Sequence, residues 1–187
     1  MRWFHYLLVF AAVVFFGCGG RRTIHATLET SKGTIELELY PDDAPKTVTN
    51  FIGLAEQGYY NGIIFHRIAK GFVIQTGDSL GLGIGGRSIY GKEFEDELNP
   101  DAPSYKEGYK RGTVAMANRG PNTNTSQFFI LLTDAPWMPK QYTIFGKVIK
   151  GMDVVDSIAA VDIIPQLGET DGRPVEDVIL KKVRVQQ

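Results

Sequence analysis

Between Ile63 and Lys150 the chain offers little but short apolar runs cut by turns: IIFHRI, FVIQTG, GTVAMAN, SQFFILL and YTIFGKVI. Runs this short, rich in Val, Ile and Phe and bounded by Gly, Pro and Asn, read as strands. Twenty-one glycines and nine prolines in 187 residues supply the punctuation and disfavour long helices. Strands and helices do not alternate, which argues against a parallel sheet. Many short antiparallel strands leave exposed edges unless the sheet curls and pairs them, so the pattern predicts a closed or nearly closed β-barrel with helices over its ends.

The flanking segments fit that frame. In TLETSKGTIELELY, Ile35, Leu37 and Leu39 alternate with Glu36 and Glu38, and Ser31-Lys32-Gly33 supplies a hairpin turn,. DDAPKTVTNFIGLAEQGYY reads as a helix, with Pro45 near its first turn, Val48, Phe51, Ile52 and Ala55 on one face and Gly58 past its end,. A second helix is predicted over Met152–Ala159 from the spacing of Met152, Val155 and Ile158,. VEDVILKKVRVQQ alternates again, though its paired lysines blur the register.

Residues 1–17 stand apart. One cation, Arg2, precedes an apolar run from Tyr6 to Phe16, shorter than the roughly 20 residues a membrane span needs and suited to the core of a signal peptide. The only cysteine, Cys18, follows the small residue Gly17. This resembles a bacterial lipobox, with Phe15 and Phe16 departing from its usual leucine and small residue. The expectation is a signal peptide over 1–17, lipidation at Cys18, a tether over 18–23 and a domain over 24–187; the alternative is an uncleaved or ordinarily cleaved signal with Cys18 incidental and a periplasmic or secreted domain. Cleavage would leave 19 cations against 21 acids and no disulfide, so packing alone must stabilise the domain. A six-residue tether reaches at most about 20 Å, placing the domain close to a bilayer in the cell envelope.

Several signals weaken on inspection. Gly81, Gly83 and Gly86 match G-x-G-x-x-G, but no amphipathic helix follows. The loop is read as one that turns tightly or approaches a ligand, not as a dinucleotide site. Glu93, Glu95, Asp96 and Glu97 lack a nearby His or Cys and read as a solvated loop, so no metal is expected. A net charge of −1 and the absence of any long basic run exclude a nucleic-acid footprint,. No nucleophile constellation stands out. His66, between Phe65 and Arg67, is expected to face away from Arg67 on an alternating strand and to be structural.

Two stretches carry the chemistry: FHRIAKGFVIQTGD (65–78) and MANRGPNTNTSQFFI (116–130), joined by GGRSIYGKEFEDE and WMPKQYTIFGKVIKGMDVV. In register across residues 24–187 they resemble the cyclophilins, peptidyl-prolyl cis-trans isomerases. The resemblance implies a mainly β fold, a closed eight-stranded antiparallel barrel capped by two helices. It implies a catalytic group of Arg67, Gln75, Phe72, Asn118 and Phe129. Gln75 would position the arginine, and the Asn118 backbone would pair with the peptide. Val73, Met138 and Tyr142 complete the proline pocket with Phe72 and Phe129. Ala117, Thr123 and Gln127 line the groove, and Trp137 sits at the rim associated with cyclosporin. The implied partners are proline-containing polypeptides, cyclosporin as a ligand and a membrane reached through the anchor. A monomer without cofactor is expected.

The chemistry suits these residue types. Rotation about a peptide bond faces a barrier of about 18–20 kcal/mol, and X–Pro exchange takes tens of seconds or more. A catalyst need only bind the twisted amide better than the planar one. Twisting returns a lone pair to the prolyl nitrogen, and a fixed arginine N–H aimed there stabilises that state selectively. Tyr142 stands where a histidine is common, Val73 where methionine is frequent, and Arg119 where a small residue is usual; these departures bear on cyclosporin affinity more than on catalysis. A proline-peptide binding module and a holdase chaperone are the alternative readings.

Overall fold

A computed structural model describes residues 22–186; the predicted signal peptide and Cys18 lie outside them. Among the described residues, eleven strands form one sheet: β1 (Ile24–Thr30), β2 (Gly33–Leu39), β3 (Ile63–Ile64), β4 (Arg67–Ala69), β5 (Val73–Thr76), β6 (Thr113–Met116), β7 (Phe128–Leu131), β8 (Ile144–Lys150), β9 (Ile163–Pro165), β10 (Asp171–Pro174) and β11 (Ile179–Gln186). Their order is β3-β11-β1-β2-β8-β6-β7-β5-β4-β10-β9, and every adjacent pair is antiparallel. The mainly β, antiparallel expectation holds.

The expected eight strands and closed ladder do not. β3 and β9 end the sheet and do not pair with each other. The sheet nonetheless curls, because only Phe65 and His66 separate β3 at one end from β4 near the other, and that link spans at most about 11 Å. Thr76 Oγ1 on β5 donates to the Ile64 carbonyl on β3 at 2.9 Å, so a side chain bridges the two flanks where the ladder stops. The run predicted as a single strand over 63–68 is thus two strands with a break.

The predicted hairpin is β1–β2, in full register from Ile24↔Leu39 to Thr30↔Gly33. Its inward faces are Ala26, Leu28, Ile35, Leu37 and Leu39, all buried. The blurred register of the last strand has a physical source. Glu29 opposes Lys182 while Thr30 opposes Leu180, so Lys181 is an extra residue on β11. That bulge lets Leu180 and Val183 both face inward across two lysines,.

Both predicted helices form, α1 (Pro45–Glu56) and α3 (Met152–Ala159), and a five-residue helix α2 (Pro103–Glu107) adds a third. On α1 the buried apolar face is Val48, Phe51, Leu54 and Ala55, with Ile52 half-buried against the same core. α1 packs on β11 and α3 on β2. Phe128 lies fully buried among Phe51, Tyr60 and Phe145, with ring centroids 5.6, 5.8 and 6.2 Å away.

The acidic cluster is a loop with Glu93 and Glu95 exposed, as expected, but it is tied down. Glu97 accepts the Lys46 and Thr47 N–H groups at the start of α1, at 2.9 and 2.8 Å, where four backbone donors lack helical partners. Glu95 pairs with Lys46 and Glu93 with Arg119. Asp96 accepts from Asn122 N–H and Asn124 Nδ2. Each acid has a cation or backbone donor within reach, and together they pin the segment to α1 and to the 118–124 loop.

Candidate active site

Alternation along four neighbouring strands sorts the side chains into two sets. Ile68, Ile74, Val114, Met116, Phe128 and Ile130 point into the main core. Their neighbours Ala69, Val73, Ala115, Phe129 and Leu131 belong to a second apolar cluster on the opposite face, as a period of two requires. Register then aligns that second face: Arg67 opposes Gln75, Gln75 opposes Phe129, and Phe129 opposes Ala115. A cationic group, an amide and an aromatic ring are brought into one row by strand pairing alone.

Above that row lies a cavity of about 650 Å³. Arg67, Phe72, Val73, Gln75, Ala117, Asn118, Phe129, Trp137, Met138 and Tyr142, all predicted from sequence, line it together. Thr123 and Gln127 do not line it; they line an adjoining small hollow that shares Gln75, Ala117 and Asn118 with it. Phe129 and Tyr142 meet edge to face at 5.6 Å, forming a wall,. Tyr142 is fixed from behind by Tyr109, whose hydroxyl donates to the Tyr142 carbonyl and accepts its N–H. Burial pushes the Tyr109 hydroxyl up to about 12, so it stays protonated as a donor.

Arg67 is gripped from both sides. Its Nη1 donates to Gln75 Oε1 at 3.2 Å. Its Nε and Nη2 donate to the Asp171 carboxylate at 2.9 and 2.6 Å. β10 pairs with β4 so that Asp171 opposes Ala69, which makes it the diagonal neighbour of Arg67 on the same face. Of the five guanidinium N–H groups, three are engaged, and one on each Nη remains for a ligand. The grip extends inward: Gln75 Nε2 donates to Gln127 Oε1 at 2.9 Å, and Gln127 Nε2 to the Gly85 carbonyl at 2.8 Å. Gln127 therefore orients Gln75, one step behind the groove.

Asn118 spends its side chain on the Gln141 carbonyl and the Gly120 N–H; its own backbone groups make no hydrogen bond with the described residues. Arg119 at the edge is not a free cation, since its guanidinium pairs with Glu93 at 2.7 Å and reaches the Ile84 carbonyl.

His66 does not face away from the cleft. Phe65 and His66 fall between β3 and β4, outside either ladder, so strand alternation does not govern them. His66 is buried and lines the same cavity as Arg67, beneath Gly83, where an added Cβ would lie 3.6 Å from its ring. Burial pushes its imidazole below the ordinary histidine value.

The glycine loop both turns and approaches the cavity. Asp78 is buried, and its carboxylate accepts backbone N–H groups of Leu80, Leu82, Gly83 and Gly85. Burial alone would raise that carboxyl, but these four donors hold it below the usual range. At Gly85 a Cβ would come within 2.1 Å of Asp78 Oδ1, so the close approach needs glycine. Gly81, Leu82 and Gly83 line the cavity.

Sequence reasoning missed Asp171, Tyr109, Gln166, Leu167 and Arg173. Tyr109 lies beneath Tyr142, and the other four lie on the hairpin of β9 and β10 or its turn. Pro165, Gly168, Gly172 and Pro174 interrupt every periodic signal there.

The family resemblance has independent support. Residues 25–185 match the family described as "Cyclophilin type peptidyl-prolyl cis-trans isomerase/CLD", and the chain belongs to that family. It is 51% identical over 155 residues to peptidyl-prolyl cis-trans isomerase-like 1 of Mus musculus, covering 83% of this chain and 88% of that protein. It is 46% identical over 159 residues to peptidyl-prolyl cis-trans isomerase-like 3 of Gallus gallus, covering 85% and 94% respectively. Among solved structures, a Cryptosporidium parvum cyclophilin type peptidyl-prolyl cis-trans isomerase superposes with a TM-score of 0.79 at 36% identity, over 89% of this chain and 99% of that one. The same enzyme crystallised in the presence of the dipeptide Ala-Pro gives a TM-score of 0.77 at 36% identity, over 87% and 99%.

Proposed function

We propose that this groove performs the family's reaction, rotation about X–Pro bonds, with Arg67 as the group that stabilises the twisted amide. The observation that carries the reading is the arginine held between Gln75 and Asp171 beside an apolar seat, with N–H groups left over. Phe72, Val73, Phe129, Met138 and Tyr142 take the proline ring, so the acyl side turns. The Asn118 backbone pairs with the peptide and holds the chain while it does. As the C–N bond twists, the prolyl nitrogen regains its lone pair, and a donor already in place stabilises that state without reorganising. No covalent bond is made or broken, and no proton needs to move. The Ala-Pro crystal of the related enzyme supports a proline-sized ligand here. The test is exchange of a short X–Pro peptide with and without the full chain: acceleration over the spontaneous rate is expected, and none at micromolar protein would overturn the reading.

We further infer that the chain is a bacterial, exported monomer that assists folding of exported proteins from a lipid anchor at Cys18. The apolar run of residues 6–16 and the position of the sole cysteine support the export and the anchor. Cys18→Ser is expected to abolish metabolic labelling with a fatty acid and to shift the chain from the membrane fraction to the soluble one. Unchanged labelling and partitioning would remove the anchor from this account.

A further inference from the structure

The five most exposed large apolar side chains among the described residues are Leu80, Leu82, Ile84, Trp137 and Leu167, between 63% and 71% accessible. They are not scattered. Leu82, Trp137 and Leu167 line the same cavity as Arg67, and Leu80 and Ile84 flank Leu82 on the glycine loop. Three separate segments thus place unpaid apolar surface around one mouth. An isolated exposed leucine needs no explanation, but apolar groups gathered at one opening mark a binding surface.

The collar is built rather than incidental. Asp78 ties the loop's backbone at four N–H groups, so Leu80, Leu82 and Ile84 are presented from a fixed frame. Across the mouth, Leu167 sits in the turn between β9 and β10, whose N–H donates to the Asp171 carbonyl at 3.0 Å. Asp171 in turn grips Arg67. Surfaces held in place before binding lose less freedom when a ligand arrives.

We propose that this collar is a specificity site for large aliphatic or aromatic side chains flanking the X–Pro bond, so that the preferred substrate is an apolar, non-native stretch of polypeptide. The inference rests on the isomerase reading, because the occupant is assigned by continuity with the proline groove. The same cavity of about 650 Å³ is lined by the proline seat and by Leu82, Trp137 and Leu167, so a ligand that continues past the proline ring meets the collar. Arg67, Gln166 and Arg173 share the lining, so the mouth carries polar groups that can meet a peptide backbone while the collar takes its apolar side chains. Burying one leucine-sized group contributes about 1.5–3 kcal/mol, which corresponds to a preference of about tenfold or more.

The experiment compares two tetrapeptides sharing one X–Pro bond, one flanked by Leu and Phe and the other by Ser and Asn, with the full chain. The kcat/KM ratio, apolar over polar, is expected at ten or more. In the Leu82→Ser/Leu167→Ser chain it is expected to fall towards one. Ile149→Ser, which removes an exposed isoleucine outside the cavity, should keep the wild-type ratio. A wild-type ratio near one, or a double variant that keeps the high ratio, overturns the proposal while leaving the isomerase reading intact. If neither peptide is accelerated, it is the isomerase reading that fails. Equal rates for the two peptides, with vesicle co-sedimentation of the Cys18→Ser chain on phosphatidylcholine that the two serines abolish, would assign the collar to a lipid surface and overturn the proposal as well.

Discussion

Arg67→Ala is expected to lower kcat/KM for X–Pro exchange by about 10²–10³-fold, the scale seen when one preorganised donor to a transition state is removed. The loss should fall on kcat. The apolar seat of Phe72, Val73, Phe129, Met138 and Tyr142 does not depend on the guanidinium, so peptide binding should survive. Lysine should not substitute. It carries the charge, but one ammonium cannot engage Gln75 and Asp171 on two sides and still present a fixed donor to the substrate,. The check is NMR exchange of a proline peptide at equal concentrations of both proteins. An alanine variant as fast as the parent would falsify the role given to Arg67, and one that no longer binds peptide would assign it to binding instead.

Asp171→Ala is expected to reduce kcat by about ten- to a hundredfold through misplacement of Arg67, since displacements near 1 Å from a productive geometry can cost about 10²-fold. The pair is partly shielded, with side chains 30% and 16% exposed, so it is neither a screened surface bridge nor a fully buried one. Losing the carboxylate frees Nε and Nη2, leaving Gln75 as the remaining side-chain acceptor. Asp171→Asn separates position from charge. The amide oxygen can accept one of the two guanidinium N–H groups that the carboxylate holds, so Asn should recover part of the rate if holding the arginine is what matters. A purely structural role predicts instead that Ala and Asn lower thermal stability in parallel, with kcat untouched in the folded fraction. Equal kcat for Ala and wild type, or equal losses for Ala and Asn, would remove Asp171 from the positioning role.

Much of the site was legible in the sequence because strand periodicity encodes it. FVIQTG and SQFFILL place alternate residues on opposite faces, so Val73 and Gln75 part from Ile74, and Phe129 parts from Phe128. The family resemblance then attached roles to the outward set, and the cavity collects nearly all of it. His66 was misjudged for a local reason: a two-residue break suspends the alternation rule at that position. The acids at 93–97 read correctly as an exposed loop, but what ties that loop down was not legible, because the partners lie far away in sequence. Lys46 is 51 residues before Glu97, and no local pattern announces that contact.

Composition and periodicity by themselves determined a mainly β antiparallel fold, the β1–β2 hairpin, α1 and α3, and which residues of one strand share a face. They did so because burial against one core imposes a period of two on strands and about 3.6 on helices, and both periods are written in consecutive residues. Only the tertiary structure decided that the described residues form an eleven-stranded sheet whose end strands do not pair with each other, that register aligns Arg67, Gln75 and Phe129 in one row, that Asp171 holds Arg67 from β10, and that Leu82, Trp137 and Leu167 meet around one opening. Those facts depend on which distant strands become neighbours. Asp171 lies 104 residues from its partner, and the hairpin that carries it is broken by prolines and glycines. Chain closure, not local preference, brings that carboxylate to the arginine.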